Sequence, residues 1–449
     1  MSKRNLIILI VLIIVVAFAF GVLYFYKPAS KLGSETTGTN FLSEFFPFGK
    51  STTVDTGEVT PPADISGYIP PTTGEIPKEI LTKISSMPIA GYTVFQKERF
   101  KEETKTTPEE QTPATDNTTP AVEKKPIPLV APTTEFAPAL RYVERATGNI
   151  YQTFVDKIGE RKFTTTIIPA VYEAYFGDNA NSVVFRYLKQ DEKTIETFAG
   201  TIPKEILGGD TSSLNEVKGS FLPDNITDMS TSPDGSSVFY LFNIENGSVG
   251  VTASIYGDKK NQIFNSPFTE WLTMWPNDRM ITLTTKPSFN VLGYMYSLDP
   301  SVKKMNKIIS GIKGLTTLTS PSGKLVLYNN NNLSLKIFNT STQDSVSIGI
   351  KTMPEKCTWN STSTNLYCAI PKYINGTEFP DIWYRGETSF SDEIWKINTE
   401  TGSASKIADP ASFSGGEEID GIKLSLDENE NYLFFVNKKD SYLWELNLK

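Results

Sequence analysis

The chain contains no histidine, and this absence excludes several kinds of chemistry at once. Without an imidazole there can be no Ser-His or Cys-His nucleophile pair and no histidine metal ligand. Two cysteines are also too few for a four-cysteine zinc site or an iron–sulfur cluster. The sequence therefore identifies no catalytic residue, no cofactor and no metal site.

Positive charge is also in deficit, since 43 Lys and Arg residues stand against 51 Asp and Glu residues. The formal net charge of −8 disfavours nucleic acid as a partner, because such binding depends on cations that neutralise phosphates. Apolar residues, in contrast, make up 39% of the 449 residues, which is enough for a large core. No long helical pattern is visible after residue 30.

The longest uncharged run extends from Leu6 to Tyr26 and follows a short tip at residues 1–5. A bilayer core about 30 Å thick needs roughly 20 apolar helical residues, so this run predicts a transmembrane helix. A cleaved signal peptide is the alternative, but its apolar region usually spans only roughly 7–15 residues before a small-residue cleavage site. The flank Lys27-Pro28-Ala29-Ser30 is a poor site of that kind, which favours an uncleaved anchor.

The orientation of this anchor depends on the charges at its two ends. Lys3 and Arg4 favour a cytoplasmic N-terminus, although Lys27 and Lys31 reduce the asymmetry. We therefore expect a single-pass protein of the cell membrane whose C-terminal domain lies outside the cytoplasm.

Residues 27–78 are rich in Ser, Thr, Gly and Pro and predict a flexible linker, because they cannot bury enough apolar surface to offset their ordering entropy. An aromatic island at 41–48 interrupts the linker. It is typical either of a docking peptide for another membrane protein or of a segment lying at the lipid headgroups. Its candidate docking side chains are Phe41, Phe45, Phe46 and Phe48. A second polar tract, at about 101–134, predicts a disordered insertion within the folded part.

A strand–turn–strand signature recurs through the rest of the chain. Ser232-Pro-Asp-Gly235 and Ser320-Pro-Ser-Gly323 each precede an apolar strand, with Pro presetting the first turn dihedral and Gly taking the positive φ. Weaker copies precede other strands. The strand markers Val183, Val238, Ile281, Val326, Leu366 and Leu433 are 55, 43, 45, 40 and 67 residues apart. A period near 40–45 is typical of four-stranded propeller blades.

These turns, together with the strand end Trp395-Lys-Ile-Asn-Thr-Glu-Thr-Gly402, resemble the WD40-like or TolB-type β-propeller repeat. The resemblance covers roughly residues 79–449 and implies a propeller architecture, without implying a particular function. The arrangement of one span, a Thr/Pro-rich linker and a propeller also resembles membrane-anchored propeller proteins of uncultivated small bacteria.

Six marked blades, and a seventh whose strands we place at Ile89–Phe95, Leu140–Glu144, Ile150–Phe154 and Phe163–Ile167, predict an all-β fold, a propeller of seven four-stranded blades. The last blade has only three strands of its own. We expect Ile80–Ser85 to complete the blade formed by Gly421–Lys449, because an unpaired strand would leave the ring with an open edge. A ring of six or eight blades, or another all-β fold, is the alternative.

Several carboxylates recur near the starts of the predicted inner strands, which line the central channel of a propeller. These candidate ligand-binding residues are Glu173, Asp228, Glu270, Glu355 and Asp420. A ring of negative charge at one mouth would attract a cation or a basic partner. The alternative is a set of solvated loop carboxylates on an acidic protein.

Cys357 and Cys368 flank a predicted hairpin turn, so they can meet on facing strands. Outside the cytoplasm the two thiols would form a disulfide, whereas in a reducing compartment they would stay free in the core. No C-x-x-C spacing points to a redox role.

The favoured function is a membrane-anchored, extracytoplasmic binding or scaffolding module for a protein, peptide or glycan partner in the cell envelope. One alternative is an envelope hydrolase or lyase that uses carboxylates at the channel mouth. Another is a sensor or assembly factor that contacts a larger membrane complex through the aromatic island.

Overall fold

The computed structural model describes residues 80–101, 133–207, 215–413 and 416–449. The predicted span, the linker, the aromatic island and most of the polar tract lie outside these residues. Within the ranges just given, no helix has the length and apolar character that crossing a bilayer would need.

The described chain forms seven antiparallel four-stranded sheets, which confirms the predicted seven-bladed propeller. Blade 1 contains β2 (Ile89–Phe100), β3 (Thr134–Glu144), β4 (Ile150–Phe154) and β5 (Arg161–Lys162). Blade 2 contains β6 (Val171–Gly177), β7 (Ser182–Leu188), β8 (Ile195–Thr201) and β9 (Lys218–Phe221). Blade 3 contains β10 (Ile226–Thr231), β11 (Ser237–Ile244), β12 (Gly247–Ser254) and β13 (Asn261–Ser266). Blade 4 contains β14 (Trp271–Asn277), β15 (Met280–Thr285), β16 (Leu292–Asp299) and β17 (Lys304–Lys313).

The remaining strands build the other three blades. Blade 5 contains β18 (Thr317–Thr319), β19 (Leu325–Tyr328), β20 (Ser334–Asn339) and β21 (Ser345–Lys351). Blade 6 contains β22 (Cys357–Trp359), β23 (Asn365–Pro371), β24 (Asp392–Asn398) and β25 (Ala404–Ala408). Blade 7 contains β26 (Gly421–Leu426), β27 (Tyr432–Asn437), β28 (Leu443–Asn447) and, as its outer strand, β1 (Leu81–Lys83).

The pairing of β1 with β28 closes the ring, as the sequence predicted. Leu81 faces Leu446 and Lys83 faces Trp444 in an antiparallel ladder. The Leu81 side chain is 8% exposed and belongs to the apolar core of blade 7, which includes Leu433. The two ends of the propeller sequence are therefore held together by backbone hydrogen bonds and by side-chain packing.

Central strands of the blades are apolar on both faces because each blade is packed between two others. In β11, the consecutive residues Val238, Phe239, Tyr240 and Leu241 are each at most 1% exposed. Such a run lacks the alternation of a half-buried strand, as expected for strands covered on both sides. The core is thus a series of apolar layers between adjacent blades.

The predicted turns form as expected. Gly235 and Gly323 adopt φ of 68° and 71°, the left-handed region that favours glycine. In the first turn, the Ser232 hydroxyl accepts a hydrogen bond from the Ser237 N–H at 2.9 Å. These bonds fix the step from the inner to the second strand of blade 3.

Two ends of the ring follow from the strand directions. We call the end at which the inner strands β2, β6, β10, β14, β18, β22 and β26 begin the entry face, and the opposite end the turn face. Because strands alternate in direction within a blade, the links between second and third strands lie on the entry face. The links from inner to second strands lie on the turn face, and so does Ile80 before β1.

Blade 1 departs from the prediction at its outer strand, which lies at Arg161–Lys162 and not at Phe163–Ile167. The reason is that Phe163 turns inward and is 1% exposed in the core shared with blade 2. The polar tract falls between β2 and β3, inside one blade, and its residues 102–132 lie outside the described residues.

The disulfide between Cys357 and Cys368 is confirmed. The two residues are direct partners in the ladder between β22 and β23, with Cα atoms 4.0 Å apart. The bond therefore joins the two innermost strands of blade 6.

Replacing Leu81 with Ala should lower the free energy of unfolding by about 2–5 kcal/mol, because it removes a buried side chain from the closing strand. Ile80→Ala is the matched control, since Ile80 is 54% exposed and its loss should cost less than about 0.5 kcal/mol. Urea denaturation followed by tryptophan fluorescence measures both values. Equal effects of the two changes would contradict a closing role for β1.

Candidate functional site

The starts of several inner strands share a β-bulge, which redirects the side chains that follow it. Register shifts occur between Val171 and Glu173 in β6, and between Ile226 and Asp228 in β10. Glu173 and Asp228 thus occupy the same position in blades 2 and 3. This shared local geometry brings the two carboxylates to one place at the entry-face end of the channel.

Arg186 from β7 fixes the Glu173 carboxylate. Its Nη1 donates to Glu173 Oε2 at 2.5 Å, and its Nη2 donates to the Ile226 carbonyl of blade 3 at 2.5 Å. The guanidinium also lies 5.4 Å from the ring centroid of Tyr172. With only 4% of its side chain exposed, Arg186 is a rigid link between the two blades at this site.

Asp228 is half-buried and accepts a hydrogen bond from the Thr273 N–H of blade 4 at 2.5 Å. Burial raises the pKa of Asp228 to about 7, and the nearby Glu173 carboxylate acts in the same direction against the Thr273 hydrogen bond. Near neutral pH this carboxyl group therefore exists in both protonation states, and it can either donate or accept a hydrogen bond.

Lys423 from β26 adds a second cation on the channel wall. Its Nζ donates to the Ala90 carbonyl at 3.0 Å, and its own carbonyl accepts a hydrogen bond from Tyr92 Oη at 2.6 Å. The side chain is open to the channel, but partial desolvation by the surrounding protein lowers its pKa against the attraction of Glu173. The two carboxylates are thus accompanied by two cations, so this is a mixed polar site.

Three polar atoms beside this group are buried without a hydrogen-bond partner in the described chain: Tyr172 Oη, Arg186 Nε and Thr273 Oγ1. Tyr172 lies near Arg186, and Thr273 lies near Asp228, in each case without the geometry of a side-chain hydrogen bond. These atoms are closed off from solvent, so they add polar character to the wall behind the carboxylates and leave Glu173, Asp228 and Lys423 as the groups that a ligand can reach. We call Tyr172, Glu173, Arg186, Asp228, Thr273 and Lys423 the mouth site.

Asp420, another predicted carboxylate, is fully buried between blades 6 and 7. It forms an ion pair with Lys356, which also contacts Asp392 at 2.7 Å, and all three side chains are 0% exposed. Trp383 Nε1 donates to Asp420 at 2.9 Å. Burial raises the pKa of Asp392 to about 6, although Lys356 opposes the change. We call Lys356, Asp392 and Asp420 the Lys356 cluster; its burial points to a structural role.

The last two predicted carboxylates lie apart from the mouth site. Glu355 precedes Lys356 in a short 3-10 turn and accepts a hydrogen bond from Tyr384 Oη; burial raises its pKa. Glu270 is 62% exposed and forms a surface ion pair with Lys286 at 3.0 Å. The structure thus brings together two of the five predicted carboxylates.

The long spacing before the last blade marks an insertion at residues 372–391, on the entry face. Its short helix α1 (Asp381–Tyr384) bonds to blade 4 through Asp381, which accepts from the Phe289 N–H at 3.0 Å. Its apolar residues form a small core with Leu333 of blade 5 and with Met353. The insertion therefore braces the entry face across blades 4 to 7, whereas the mouth site lies at blades 2 to 4 and 7.

Loops around the entry face present large apolar side chains to solvent. We call these the apolar rim: Leu188, Ile244, Phe268, Val291 and Leu292, with exposures of 39%, 44%, 66%, 56% and 47%. The Ser248 hydroxyl donates to the Phe268 carbonyl at 2.7 Å, which holds that loop beside the turn after Ile244. An exposed apolar group rimmed by polar residues is typical of a protein interaction surface.

Comparison with known proteins finds similarity in architecture only. No family model matches the chain, and no curated protein matches it. The fold is similar to an oligogalacturonate lyase from Vibrio parahaemolyticus, with 9% identity, a TM-score of 0.47, and coverage of 69% of this chain and 86% of that one. The structure of an oligogalacturonate lyase in complex with manganese has 9% identity and a TM-score of 0.45, with coverage of 69% of this chain and 85% of that one. The tricorn protease has 13% identity and a TM-score of 0.35, with coverage of 67% of this chain and 27% of that one. These similarities carry no argument about activity.

Lys356→Met should lower the free energy of unfolding by roughly 3–5 kcal/mol, because it leaves two buried carboxylates without their cation. Lys406→Met is the control, since Lys406 pairs with Glu393 at 3.1 Å while 48% exposed, and its change should cost at most about 1 kcal/mol. Chemical denaturation at neutral pH measures both. A small effect at Lys356 would show that its partners are hydrated or protonated.

Asp228 should make stability depend on pH near neutrality. Between its ordinary pKa and about 7, the folded chain holds a proton on Asp228 that the unfolded chain has released. Raising the pH through this window therefore lowers the free energy of unfolding, and the loss is complete above about pH 7. Asp228→Asn should remove the slope between about pH 6 and 7 and only reduce it below, where Asp392 with its pKa of about 6 adds a slope of the same sign, whereas the exposed control Glu270→Gln should retain the whole slope. Denaturation curves across the window compare the three proteins.

Proposed function

We propose that the chain is a membrane-anchored, extracytoplasmic binding module whose entry face receives a protein partner of the cell envelope. The observation that carries this proposal is the apolar rim beside the mouth site. Phe268, Ile244 and Val291 are exposed and so contribute little to the stability of the chain. A partner that covers them would remove their apolar surface from water, which favours binding.

The mouth site supplies the polar groups that the apolar rim lacks and that would select a partner. Its carboxylates and cations offer both donors and acceptors to a side chain or backbone group that enters the channel. An apolar contact zone next to a buried polar anchor point is a usual division of labour in protein interfaces. A peptide segment fits the same description, and a glycan would use mainly the polar site.

The proposed location is supported by two separate features. The uncharged run Leu6–Tyr26 has the length of a membrane span, and the disulfide of blade 6 suits a compartment that oxidises thiols. Both fit a domain held outside the cytoplasm, where an envelope partner would be found.

Photo-crosslinking in cells tests the proposed surface. A benzoylphenylalanine at Phe268 should give a discrete adduct with one partner, whereas the same group at Val302, 67% exposed on the turn face, should not. Ile244→Asp should strongly reduce the adduct at position 268, because it places a charge in the covered rim. Equal adducts at both positions, or none at 268, would refute the entry face as the binding surface.

An envelope hydrolase or lyase is the second candidate function. It is favoured by one observation, the carboxyl group of Asp228 with a pKa of about 7 beside Glu173, which suits a general acid or base. The crosslinking adduct distinguishes the two functions. A binding module should form its partner adduct at position 268 without converting the partner, whereas an enzyme should turn over an envelope substrate and lose that turnover in Asp228→Asn.

A further inference from the structure

Blade 1 carries a surface on the turn face that the proposed function does not use. Strands β2 and β3 continue past their neighbour β4, so the hairpin of Phe95–Phe100 with Thr134–Ala139 projects from the ring. We call the exposed apolar residues on and beside this hairpin the basal patch: Phe100, Phe136, Ile158, Ile206 and Leu207, with exposures of 42%, 70%, 42%, 51% and 38%.

The surroundings of the basal patch are cationic, although the whole chain is acidic. Glu205 is shared by three cations, with Lys97 at 2.5 Å, Arg161 at 2.8 Å and Arg141 at 3.4 Å. Among the described residues of the hairpin and the loops beside it, seven are basic and five are acidic: Lys97, Arg99, Lys101, Arg141, Lys157, Arg161 and Lys204 against Glu98, Glu135, Asp156, Glu160 and Glu205. The described part of this end of blade 1 therefore has a small excess of positive charge around its apolar residues, although Arg141 itself is buried.

The chain enters the propeller on the same face. The Ile80 carbonyl accepts a hydrogen bond from the Asn447 N–H at 2.8 Å, where β28 ends on the turn face. Blade 7, which holds β1, is next to blade 1 in the closed ring, and the apolar core that includes Ile89 and Leu140 also includes Leu443. The run Leu6–Tyr26 lies upstream of Ile80, so a membrane anchor would connect to this face.

We propose that the basal patch contacts the surface of an anionic lipid bilayer; this rests on the membrane anchor of the proposed function. Phenylalanine and aliphatic side chains favour the boundary between headgroups and acyl chains, and the basic residues around them attract lipid phosphates. Contact through the basal patch turns the entry face away from the bilayer and towards a partner.

Depth-dependent fluorescence quenching tests the contact with the full chain in lipid nanodiscs. Because both native cysteines are in the disulfide, a single introduced cysteine takes a bimane label. The label on Phe136→Cys should be quenched several-fold more strongly by spin-labelled lipid than the label on Ile244→Cys, the entry-face control. Quenching should be stronger in discs with phosphatidylglycerol than in discs of phosphatidylcholine alone, and a second change, Ile158→Asp, should weaken it.

The outcomes separate the contact from the anchor. A chain that stays in the disc with equal quenching at both positions overturns the basal contact and leaves the anchor intact. A label at 136 that is shielded from aqueous iodide without lipid quenching, in discs holding two chains, assigns the patch to a second copy and also overturns the contact. A chain that leaves the disc refutes the anchor. In that case, quenching at position 136 on phosphatidylglycerol vesicles supports the contact, and its absence overturns it.

Discussion

The pairing of β1 with β28 is the constraint on which the rest of this structure depends. A propeller blade buries both faces only if the ring is complete, and here the last blade borrows its outer strand from the start of the propeller sequence. Leu81 and Leu446 join at this point, so the two ends of the fold are stabilised by the same contacts. Because every blade has four antiparallel strands, all inner strands run in the same direction, which separates an entry face from a turn face.

Charge inside the ring is handled in two different ways. In the Lys356 cluster, the ammonium group and both carboxylates are fully buried, and their partners come from blades 6 and 7 and from the insertion. At the mouth site, the Glu173 side chain is 24% exposed and Asp228 is half-buried, so both remain within reach of the channel. The first arrangement rigidifies a blade junction, whereas the second keeps hydrogen-bonding capacity for a ligand.

Much of the fold could be predicted from the sequence, because its signals are local. Blades are indicated by the turns at Gly235 and Gly323 and by the regular spacing of the apolar strands. The last blade has only three strands of its own, which indicates that a strand from elsewhere must complete it. The mouth site could be predicted only in part. Glu173 and Asp228 follow the strand period, but Arg186 comes from a second strand and Lys423 from blade 7, so only the closed ring places them together. Asp420 also precedes the inner strand of its blade but is buried in an ion pair, since the position before a strand does not show which side chains meet solvent.

The Lys356 cluster has a consequence for how such a sequence can diverge. Changing one of the three residues leaves the opposite charge unpaired in the core, while replacing all three with apolar side chains of similar volume removes the buried charges, provided that Trp383 Nε1 and the N–H groups of Phe390 and Gly421 find other acceptors. The three positions are therefore epistatic: substitutions at them avoid a large loss of stability only when all three residues change together. Related propellers should accordingly carry the whole triad or none of it, and a triad with one member missing should mark a chain that has repacked this blade junction.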